Sequence, residues 1–388
     1  MTGTLLLNPQ QHQPRDRYAQ ALDERQNKFM SEILNFYDFD ESQKKSLLEI
    51  SYGKGKCILH TNGLCGDIFV FDQGENTRPR YTCIKLPKPI TGVSNEETAK
   101  RFLRELKLQL SFYHNKFVNW AFDFDSIFDT PIAYFRYWGN DLASILKTNQ
   151  PSKVTKLSLF VYTCVGLRHC YSKGLIAHQD LKPANIFIRN IKNDFVGLPD
   201  IDIYDFAMVA DFGLANTFID YKVFDGSRPY MAPEQWNKTE LSQATDIFSL
   251  GVILFELMTN GYHPVGIKLN DFWPIPMEGN SKKWTRPDSW KKWIEGGCKI
   301  ELPEGIYIEE HMLKFISKML SVKSSHRPGL NEVIDFSLEQ IKDISNESHV
   351  QLSFLIDYFD KQSLQTNNLE TDWPYLFQKW ENFRKRYE

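Results

Sequence analysis

The chain has 388 residues and a mass of 45.4 kDa, a length that predicts two lobes or one domain with extensions. Apolar residues make up 42% and aromatic residues 14% of the sequence, which is enough for a large buried core and excludes a chain that is disordered throughout. The 46 basic and 49 acidic side chains leave a formal charge of −3, which argues against generic binding to nucleic acids or anionic membranes.

The sequence carries no sign of secretion or of a membrane span. Six cysteines lack a C-x-x-C pair or a metal-like spacing, which predicts free thiols in a reducing, cytoplasmic compartment. The first residues lack a cleavage signature. The most apolar later run, 247–258, is interrupted by Glu256 and is too short to cross a bilayer. We therefore expect a soluble protein.

The first third of the chain predicts a small region rich in strands. Residues 1–28 are rich in glutamine and charge and are expected to be poorly ordered, whereas the amphipathic pattern of 29–50 predicts one or two helices. Between 51 and 90, short apolar runs separated by turn residues predict antiparallel hairpins. Apolar spacing predicts a helix over 95–112, and 130–138 has the composition of a strand.

The rest of the chain predicts a larger, helical region. Helices are predicted at 155–173, 241–259, 309–321 and 330–343, with short strands at 186–189 and 207–210. A small β-rich lobe followed by a larger helical lobe is an α+β fold, and a cleft between lobes is a favoured ligand site. We expect an amino-terminal extension at 1–50, a small lobe at 51–138, a large lobe at 139–345 and a helical extension at 346–388.

The segment 178–185, His-Gln-Asp-Leu-Lys-Pro-Ala-Asn, is the most informative part of the sequence. Where such a loop precedes a strand, Asp180, Lys182 and Asn185 can converge to accept a hydroxyl proton, balance the charge of a phosphate and ligate a metal. Asp211 begins an Asp-Phe-Gly triplet after a second apolar run, which suits a ligand of a hard cation.

Residues suited to phosphate binding lie upstream. Lys85 ends a strand-like segment, and Glu105 follows it in the predicted helix, where a carboxylate can hold the lysine in place. Gly63 and Gly66 belong to a predicted hairpin whose backbone N–H groups could approach phosphates. Each motif alone is common by chance, so the information lies in their order and spacing.

In this order, the motifs resemble those of the eukaryotic-type protein kinase superfamily over about residues 51–345. The matching segments include the strand lysine in Thr-Cys-Ile-Lys, the loop at 178–185, the Asp-Phe-Gly triplet and the stretch 226–234, Gly-Ser-Arg-Pro-Tyr-Met-Ala-Pro-Glu. The resemblance implies a bilobal α+β fold, in which the small β-rich lobe has one main helix. It also implies transfer of the γ-phosphoryl group of ATP with the help of Mg²⁺.

The resemblance also implies roles for single residues. Asp180 would orient or accept the substrate hydroxyl, Lys182 would lie beside the transferred phosphoryl group, and Asn185 and Asp211 would hold Mg²⁺. The implied ATP-binding residues are Gly63, Gly66, Lys85, Glu105, Phe135 and Tyr137. The implied substrate-loop residue is Ser227, and the implied structural residues are Glu234, Asp246 and Arg327, of which Glu234 and Arg327 would form a buried ion pair.

Lys182 and Ser227 resemble the serine/threonine branch of the superfamily, in which a hydroxyl at Ser227 could bond Asp180 and Lys182. The implied partners are therefore protein substrates. Partner or regulatory contacts are expected through 1–50, 264–300 and 346–388. Four tryptophans in the middle segment favour local packing or a partner surface over stacking on a nucleic acid.

Four departures from the family pattern stand out. Gln179 replaces an arginine, which makes the catalytic loop a non-RD loop, and a neutral amide cannot form a charge-assisted pair with an activation-loop phosphate. Activation through phosphorylated Thr217 or Tyr221 is therefore not expected by that route. Thr61 replaces the first loop glycine, and Gln109 stands where an apolar residue is usual.

The fourth departure is a long insert around 190–205 with four aspartates, which favours a solvated hairpin over an acidic metal site. Two other functions remain open at this point. One is a pseudokinase, which would bind nucleotide or partners without transfer. The other is an enzyme of the same fold that acts on a small molecule or a lipid.

Overall fold

The computed structural model describes residues 36–52, 55–62, 66–148, 150–194, 196–365 and 369–388. These residues form two compact units, of which the first consists of the described residues up to Leu103 together with Asp123–Tyr134. The second unit contains Arg104–Phe122 and Phe135–Arg386. None of the described helices has the length and apolar character that crossing a membrane requires. The four-part division of the chain remains a prediction.

The first unit contains most of a five-stranded sheet. Its strands are β1 (Lys56–Asn62), β2 (Gly66–Asp72), β3 (Tyr81–Pro87), β4 (Asp123–Ile127) and β5 (Thr130–Arg136), in the order β1-β2-β3-β5-β4. The pairs β1–β2, β2–β3 and β4–β5 are antiparallel, so the hairpins predicted for 51–90 are confirmed. Phe69, Phe71, Ile84 and Ile132 are almost fully buried in the apolar cluster of this unit.

Two helices have clear start signals in the sequence. Helix α1 (Glu41–Tyr52) follows Asp40, whose side chain accepts a hydrogen bond from the Gln43 N–H at 2.8 Å while the Gln43 side chain accepts one from the Asp40 N–H at 2.9 Å. Helix α2 (Asn95–Ser111) is capped by Ser94 and confirms the helix predicted over 95–112. Its buried apolar residues have helical spacing: Ala99, Phe102, Leu103, Leu106 and Leu110.

The second unit is mainly helical. Its helices are α3 (Leu142–Thr148), α4 (Lys153–Ser172), α5 (Thr217–Asp220), α6 (Pro233–Asn237), α7 (Gln243–Thr259), α8 (Pro287–Glu295), α9 (Glu310–Met319), α10 (Leu330–Ile344), α11 (Asn346–Gln365), α12 (Leu369–Asp372) and α13 (Pro374–Arg384). Its strands are β6 (Asn140–Asp141), β7 (Ile186–Asn190), β8 (Asp205–Val209), β9 (Tyr262–His263) and β10 (Ile267–Lys268). The helices and strands predicted beyond residue 139 are confirmed, with small shifts at their ends.

Helices α4 and α7 form the centre of the second unit. Both are buried on nearly all faces along most of their length, as expected for core helices. Glycines allow close packing here: a Cβ atom at Gly166 would lie 2.3 Å from the Phe117 carbonyl oxygen, and one at Gly251 would lie 2.9 Å from the Met319 Cβ. These contacts fix the helices that support the loops described below.

The insert between β7 and β8 closes an antiparallel hairpin. Ion pairs join Arg189 to Asp194 and Lys192 to Asp200, so two of the four aspartates have cationic partners. Ile203, just before β8, is fully buried. The hairpin interpretation of this segment is therefore confirmed.

Helices α11 to α13 pack on the second unit through aromatic rings. The Phe359 ring makes edge contacts with Phe117 and Phe206, at centroid distances of 6.1 and 5.5 Å. Next to it, Asp360 pairs with Arg168 at 2.6 Å. Leu376, Trp380 and Phe383 of α13 are buried. The carboxyl-terminal helices are thus packed against the rest of the second unit.

Candidate active site

The loop at 178–185 is anchored on both sides by buried residues. Leu181 and Ile186 are fully buried, and a short 3₁₀ turn, Pro183–Asn185, leads directly into β7. Gln179 has a positive φ of 69°, a conformation that non-glycine residues adopt only where the surroundings impose it. The polar side chains of the loop are therefore held between fixed points.

Asp246, fully buried in α7, holds the start of this loop. Its carboxylate accepts hydrogen bonds from the His178 N–H at 2.8 Å, the Gln179 N–H at 3.2 Å and the Tyr171 hydroxyl at 2.8 Å. Burial raises the pKa of Asp246, while its interactions with His178 and the other donors oppose that rise. The Asp246 carboxylate accepts all three hydrogen bonds, and it thereby fixes the backbone N–H groups of His178 and Gln179, the two residues before Asp180.

Asp180, Lys182, Asn185 and Ser227 lie in one hydrogen-bonded group. The Lys182 ammonium donates to Asp180 Oδ2 at 2.8 Å and to Ser227 Oγ at 2.9 Å. The Ser227 backbone N–H donates to Asp180 Oδ1 at 2.7 Å. Ser227 therefore contacts Lys182 through its hydroxyl and Asp180 through its backbone N–H.

Gly226 allows this approach of the Ser227 loop to the catalytic loop. A Cβ atom at Gly226 would lie 2.6 Å from the Gln179 carbonyl oxygen, so any larger residue would push the two loops apart. The same carbonyl accepts a hydrogen bond from the Gln235 side chain at 2.9 Å. The glycine in the Gly-Ser-Arg-Pro sequence is thus required by packing.

Asn185 and the Asp-Phe-Gly triplet are joined by their backbones. The Ala210 N–H, just before Asp211, donates to the Asn185 carbonyl at 2.9 Å. The Asn185 Nδ2 donates to the Asp180 carbonyl oxygen at 2.8 Å and to Asp180 Oδ2 at 3.3 Å. These bonds leave the side-chain oxygen of Asn185, Oδ1, as a potential metal ligand. Asp211 is half-buried and has a φ of 58°. Two oxygen-bearing side chains therefore stand at adjoining strand ends, which suits Mg²⁺.

His178 and Phe212 have packing roles beside these polar groups. The Phe212 ring lies 4.9 Å from both the Phe112 ring and the His178 ring. His178 Nε2 donates to the Ala210 carbonyl at 3.0 Å, an assignment that follows from the acceptor being a carbonyl. Both side chains are fully buried.

The Gln179 side chain ties the catalytic loop to the segment 217–223. Its Nε2 donates to the Val223 carbonyl at 3.0 Å, and its Oε1 accepts from the Phe218 N–H at 3.3 Å and the Thr217 hydroxyl at 3.4 Å. A neutral amide thus satisfies a backbone donor and a backbone acceptor of this segment. No phosphate is needed for these particular contacts.

The loop after Ser227 is anchored from below by buried polar groups. The Tyr230 hydroxyl donates to Glu256 at 2.8 Å, and His263 Nε2 donates to the Pro229 carbonyl at 2.9 Å. Burial raises the pKa of Glu256 to about 8 and lowers that of His263 to about 3. His263 is therefore neutral at physiological pH, with its Nδ1 accepting from the Val265 N–H.

Glu234 and Arg327 form a bidentate ion pair inside the second unit. The two guanidinium nitrogens lie 2.6 and 2.9 Å from the two carboxylate oxygens. Arg327 also donates to the carbonyls of Ser321 and Ala244, and Thr245 donates to Glu234. The pair satisfies its buried groups by hydrogen bonds, which is the condition under which a buried ion pair is tolerated.

The predicted nucleotide-binding residues that the structure describes in the first unit lie in its strands. Lys85 is buried in β3, opposite Ile68 of β2, and Thr61 of β1 pairs with the same Ile68. Gly66 begins β2, where a Cβ atom would lie 2.5 Å from the Leu86 carbonyl oxygen. Gly63 lies outside the described residues.

The remaining predicted site residues lie in the second unit. The Glu105 carboxylate accepts a hydrogen bond from the buried Gln109 amide at 2.9 Å, so the unusual glutamine bonds one turn back along α2. Phe135 is buried near the end of β5, and Tyr137 follows that strand and is half-buried.

Three anchoring residues have no motif that would have revealed them. Glu256 and His263 bond the substrate loop at Tyr230 and Pro229, and Tyr171 bonds Asp246, the anchor of the loop at 178–185. The only local signal was a polar residue within an apolar segment, which applies to Glu256 in 247–258.

A sequence model of the protein kinase domain matches residues 70–338 of the chain. The chain belongs to the protein kinase family. This match and the observed elements confirm the predicted family and the α+β fold of protein kinases.

Several serine/threonine kinases are similar to this protein kinase. The PknD kinase of Chlamydia caviae is 32% identical over 196 residues, which cover 42% of the chain and 20% of that kinase. The pkn3 kinase of Myxococcus xanthus is 33% identical over 174 residues, 44% of the chain and 31% of that kinase. A probable kinase nek2 of Dictyostelium discoideum is 25% identical over 271 residues, 66% of the chain and 56% of that kinase. The matches thus span from a fifth to just over half of these relatives.

Proposed function

We propose that this protein kinase transfers the γ-phosphoryl group of ATP to serine or threonine hydroxyls of protein substrates. The observation that carries the proposal is the Asp180–Lys182–Ser227 group, in which each polar atom has a defined partner. An aspartate held by a backbone N–H and an ammonium is preorganised and needs little reorganisation during the reaction. The serine/threonine kinases among the similar proteins support the substrate class.

Asp180 is the proposed acceptor for the substrate hydroxyl. Its carboxylate is almost fully buried, with Oδ1 held by Ser227 and Oδ2 by Lys182. In this position it orients the hydroxyl and takes its proton as the new bond to phosphorus forms. The Lys182 ammonium places a positive charge next to the oxygens of the transferred group.

Asn185 Oδ1 and the Asp211 carboxylate are the proposed ligands of Mg²⁺. Both are hard oxygen donors, the kind that Mg²⁺ prefers, and they stand at adjoining strand ends. Bound Mg²⁺ would neutralise charge on the phosphates of ATP. We assign Lys85, Glu105 and Gly66 to nucleotide binding on the basis of the family resemblance, together with Phe135 and Tyr137.

The test is phosphate transfer to a mixture of serine- and threonine-containing peptides, with phosphosites identified by mass spectrometry. We expect phosphoserine or phosphothreonine with the natural protein and a loss of about a thousandfold or more in Asp180→Asn. Asp335→Asn is the matched control, because Asp335 is exposed on α10 and lies outside the site.

The other outcomes separate the alternatives. A Mg²⁺-dependent shift of the melting temperature by ATP without any transfer would replace the proposal with a nucleotide-binding scaffold. Equal transfer by the natural protein and Asp180→Asn would remove Asp180 from its assigned role.

A further inference from the structure

Arg228 belongs to the loop that contacts Asp180, the proposed acceptor of the substrate hydroxyl. It follows Ser227, whose backbone and side chain contact Asp180 and Lys182. Neighbouring Cα atoms are about 3.8 Å apart, so the Arg228 side chain starts one residue from the catalytic group. A residue at this place is within reach of the side chains that flank the accepting serine or threonine.

The guanidinium of Arg228 is held by the tryptophan-rich segment between α7 and α9. Its Nη1 donates to the Thr285 carbonyl at 2.8 Å, and its Cζ lies 5.7 Å from the centre of the Trp273 ring. Trp284, next to Thr285, is buried against Trp290 at 4.8 Å. The segment expected to pack locally or form a partner surface therefore fixes an arginine of the substrate loop.

Within the part of the chain that the structure describes, this cation has no acidic partner. No carboxylate oxygen of those residues lies within 4.0 Å of the Arg228 guanidinium. A guanidinium has five N–H donors, and the Thr285 carbonyl takes one of them. A half-buried, oriented arginine with spare donors is suited to bind a carboxylate through two parallel hydrogen bonds.

The exposed residues that flank Thr285 in the sequence are mainly basic. From 282 to 292 the chain has five basic residues and one acidic residue, and all five basic side chains are exposed: Lys282, Lys283, Arg286, Lys291 and Lys292. A cluster of this sign raises the local concentration of anionic groups. It complements an acidic peptide and disfavours a basic one.

We propose that Arg228 is a specificity-determining residue that binds an acidic side chain next to the accepting serine or threonine. The preferred substrate is thus an acidic peptide segment. This inference rests on the proposed kinase function. It adds the chemical class of substrate that the site selects.

The test compares three peptides that differ only in the residues flanking one serine, which are aspartate, alanine or arginine. For the natural protein we expect kcat/KM for the aspartate peptide to exceed that for the alanine peptide by about tenfold, mainly through KM. In Arg228→Gln this ratio should fall close to one. Moving the aspartate one position at a time identifies the residue that Arg228 reads.

Two further variants test whether the preference for the aspartate peptide comes from direct contact with Arg228, from the charge of the exposed basic residues or from a change in folding. Arg286→Gln removes the same charge from the adjacent basic surface, and it should keep most of the preference. Arg228→Lys keeps the charge without the planar fork, so it should keep part of the preference. If thermal unfolding shows that Arg228→Gln does not fold, Arg228→Lys is compared with the natural protein instead.

The outcomes are distinguishable from failure of the kinase proposal itself. Phosphorylation of all three peptides at similar rates, or a preference for the arginine peptide, would overturn the role of Arg228 and leave the kinase function intact. An equal loss of preference in Arg286→Gln and Arg228→Gln would assign the effect to the whole basic surface. Failure to phosphorylate any peptide would count against the proposed function.

Discussion

The catalytic loop and the carboxyl-terminal helices belong to the same unit but are held by different forces. The loop at 178–185 is fixed by hydrogen bonds, in which the buried Asp246 carboxylate accepts from two backbone N–H groups of the loop and Asp180 accepts from the Ser227 N–H. Such bonds are directional, and a buried group that loses its partner is costly. Small chemical changes in the loop should therefore have large effects on activity.

The helices at 346–388 are fixed mainly by rings and apolar side chains. Phe359 lies against Phe117 and Phe206, and Trp373 lies against His114 and Trp120 at 5.0 and 6.3 Å. Apolar contacts are less directional and scale with buried area. Changes in these helices should reduce stability in proportion to the buried area that is lost and leave the proposed kinase activity of the folded protein unchanged.

Among the changes that compare the two regions, Asp246→Asn is expected to have the largest effect on activity. The amide has one acceptor oxygen where the carboxylate has two, yet the backbone of His178 and Gln179 and the Tyr171 hydroxyl all donate to this site. Activity should fall at least about a hundredfold, and the free energy of unfolding by about 2–4 kcal/mol. Kinase assays and urea unfolding measure the two, with Asp335→Asn as the surface control. Near-natural activity would show that the loop does not depend on this anchor.

The corresponding change in the helices is Phe359→Ala. Loss of the ring between Phe117 and Phe206 should lower the free energy of unfolding by about 3–5 kcal/mol. At a temperature where the variant is folded, kcat should stay within about twofold. Phe354→Ala, in the same helix but with a side chain 62% exposed, should cost less than about 0.5 kcal/mol. A large loss of kcat in folded Phe359→Ala would contradict the separation between stability and chemistry.

How far the sequence predicts these regions depends on the range of their interactions. Asp180, Lys182 and Asn185 lie within six residues, and the apolar strand that follows forces them together, so their proximity was predictable. The bond from Tyr171 to Asp246 joins residues 75 positions apart, and neither residue type signals the other. The contact between Arg228 and Trp273 could not be predicted from the sequence either, because neither residue belongs to a pattern that indicates the other.

The pH dependence of stability tests a buried acid beneath the substrate loop. The pKa of Glu256 is raised to about 8 by burial, so between pH about 4.5 and about 8 the folded state keeps a proton that the unfolded state has lost. The contribution of Glu256 to stability is therefore present at low pH and is lost as the pH rises through this window. The difference in unfolding free energy between the natural protein and Glu256→Gln should fall with rising pH, as measured by urea unfolding. A constant difference would mean that Glu256 titrates normally.

A moderate effect is expected when Gln179 is replaced by leucine. The change leaves the Val223 carbonyl and the Phe218 N–H without their side-chain partner, so the segment 217–223 should exchange its amide hydrogens faster. Activity should fall by about five- to tenfold. Gln243→Leu, at an exposed position of α7, is the control. If the natural protein were active only with phosphate on Thr217 or Tyr221, the Gln179 contacts would be insufficient to order the segment.

The smallest effect is expected at the polar contact between the carboxyl-terminal helices and the end of α2. The Tyr113 hydroxyl donates to Asp372 at 2.7 Å, and Asp372 is exposed, so its carboxylate can bind water when the hydroxyl is removed. Tyr113→Phe should therefore lower the free energy of unfolding by only about 1 kcal/mol. Tyr375→Phe, at a side chain 82% exposed in α13, should have no measurable effect. A loss as large as that of Phe359→Ala would show that these helices depend on a directional polar bond, as the catalytic loop does.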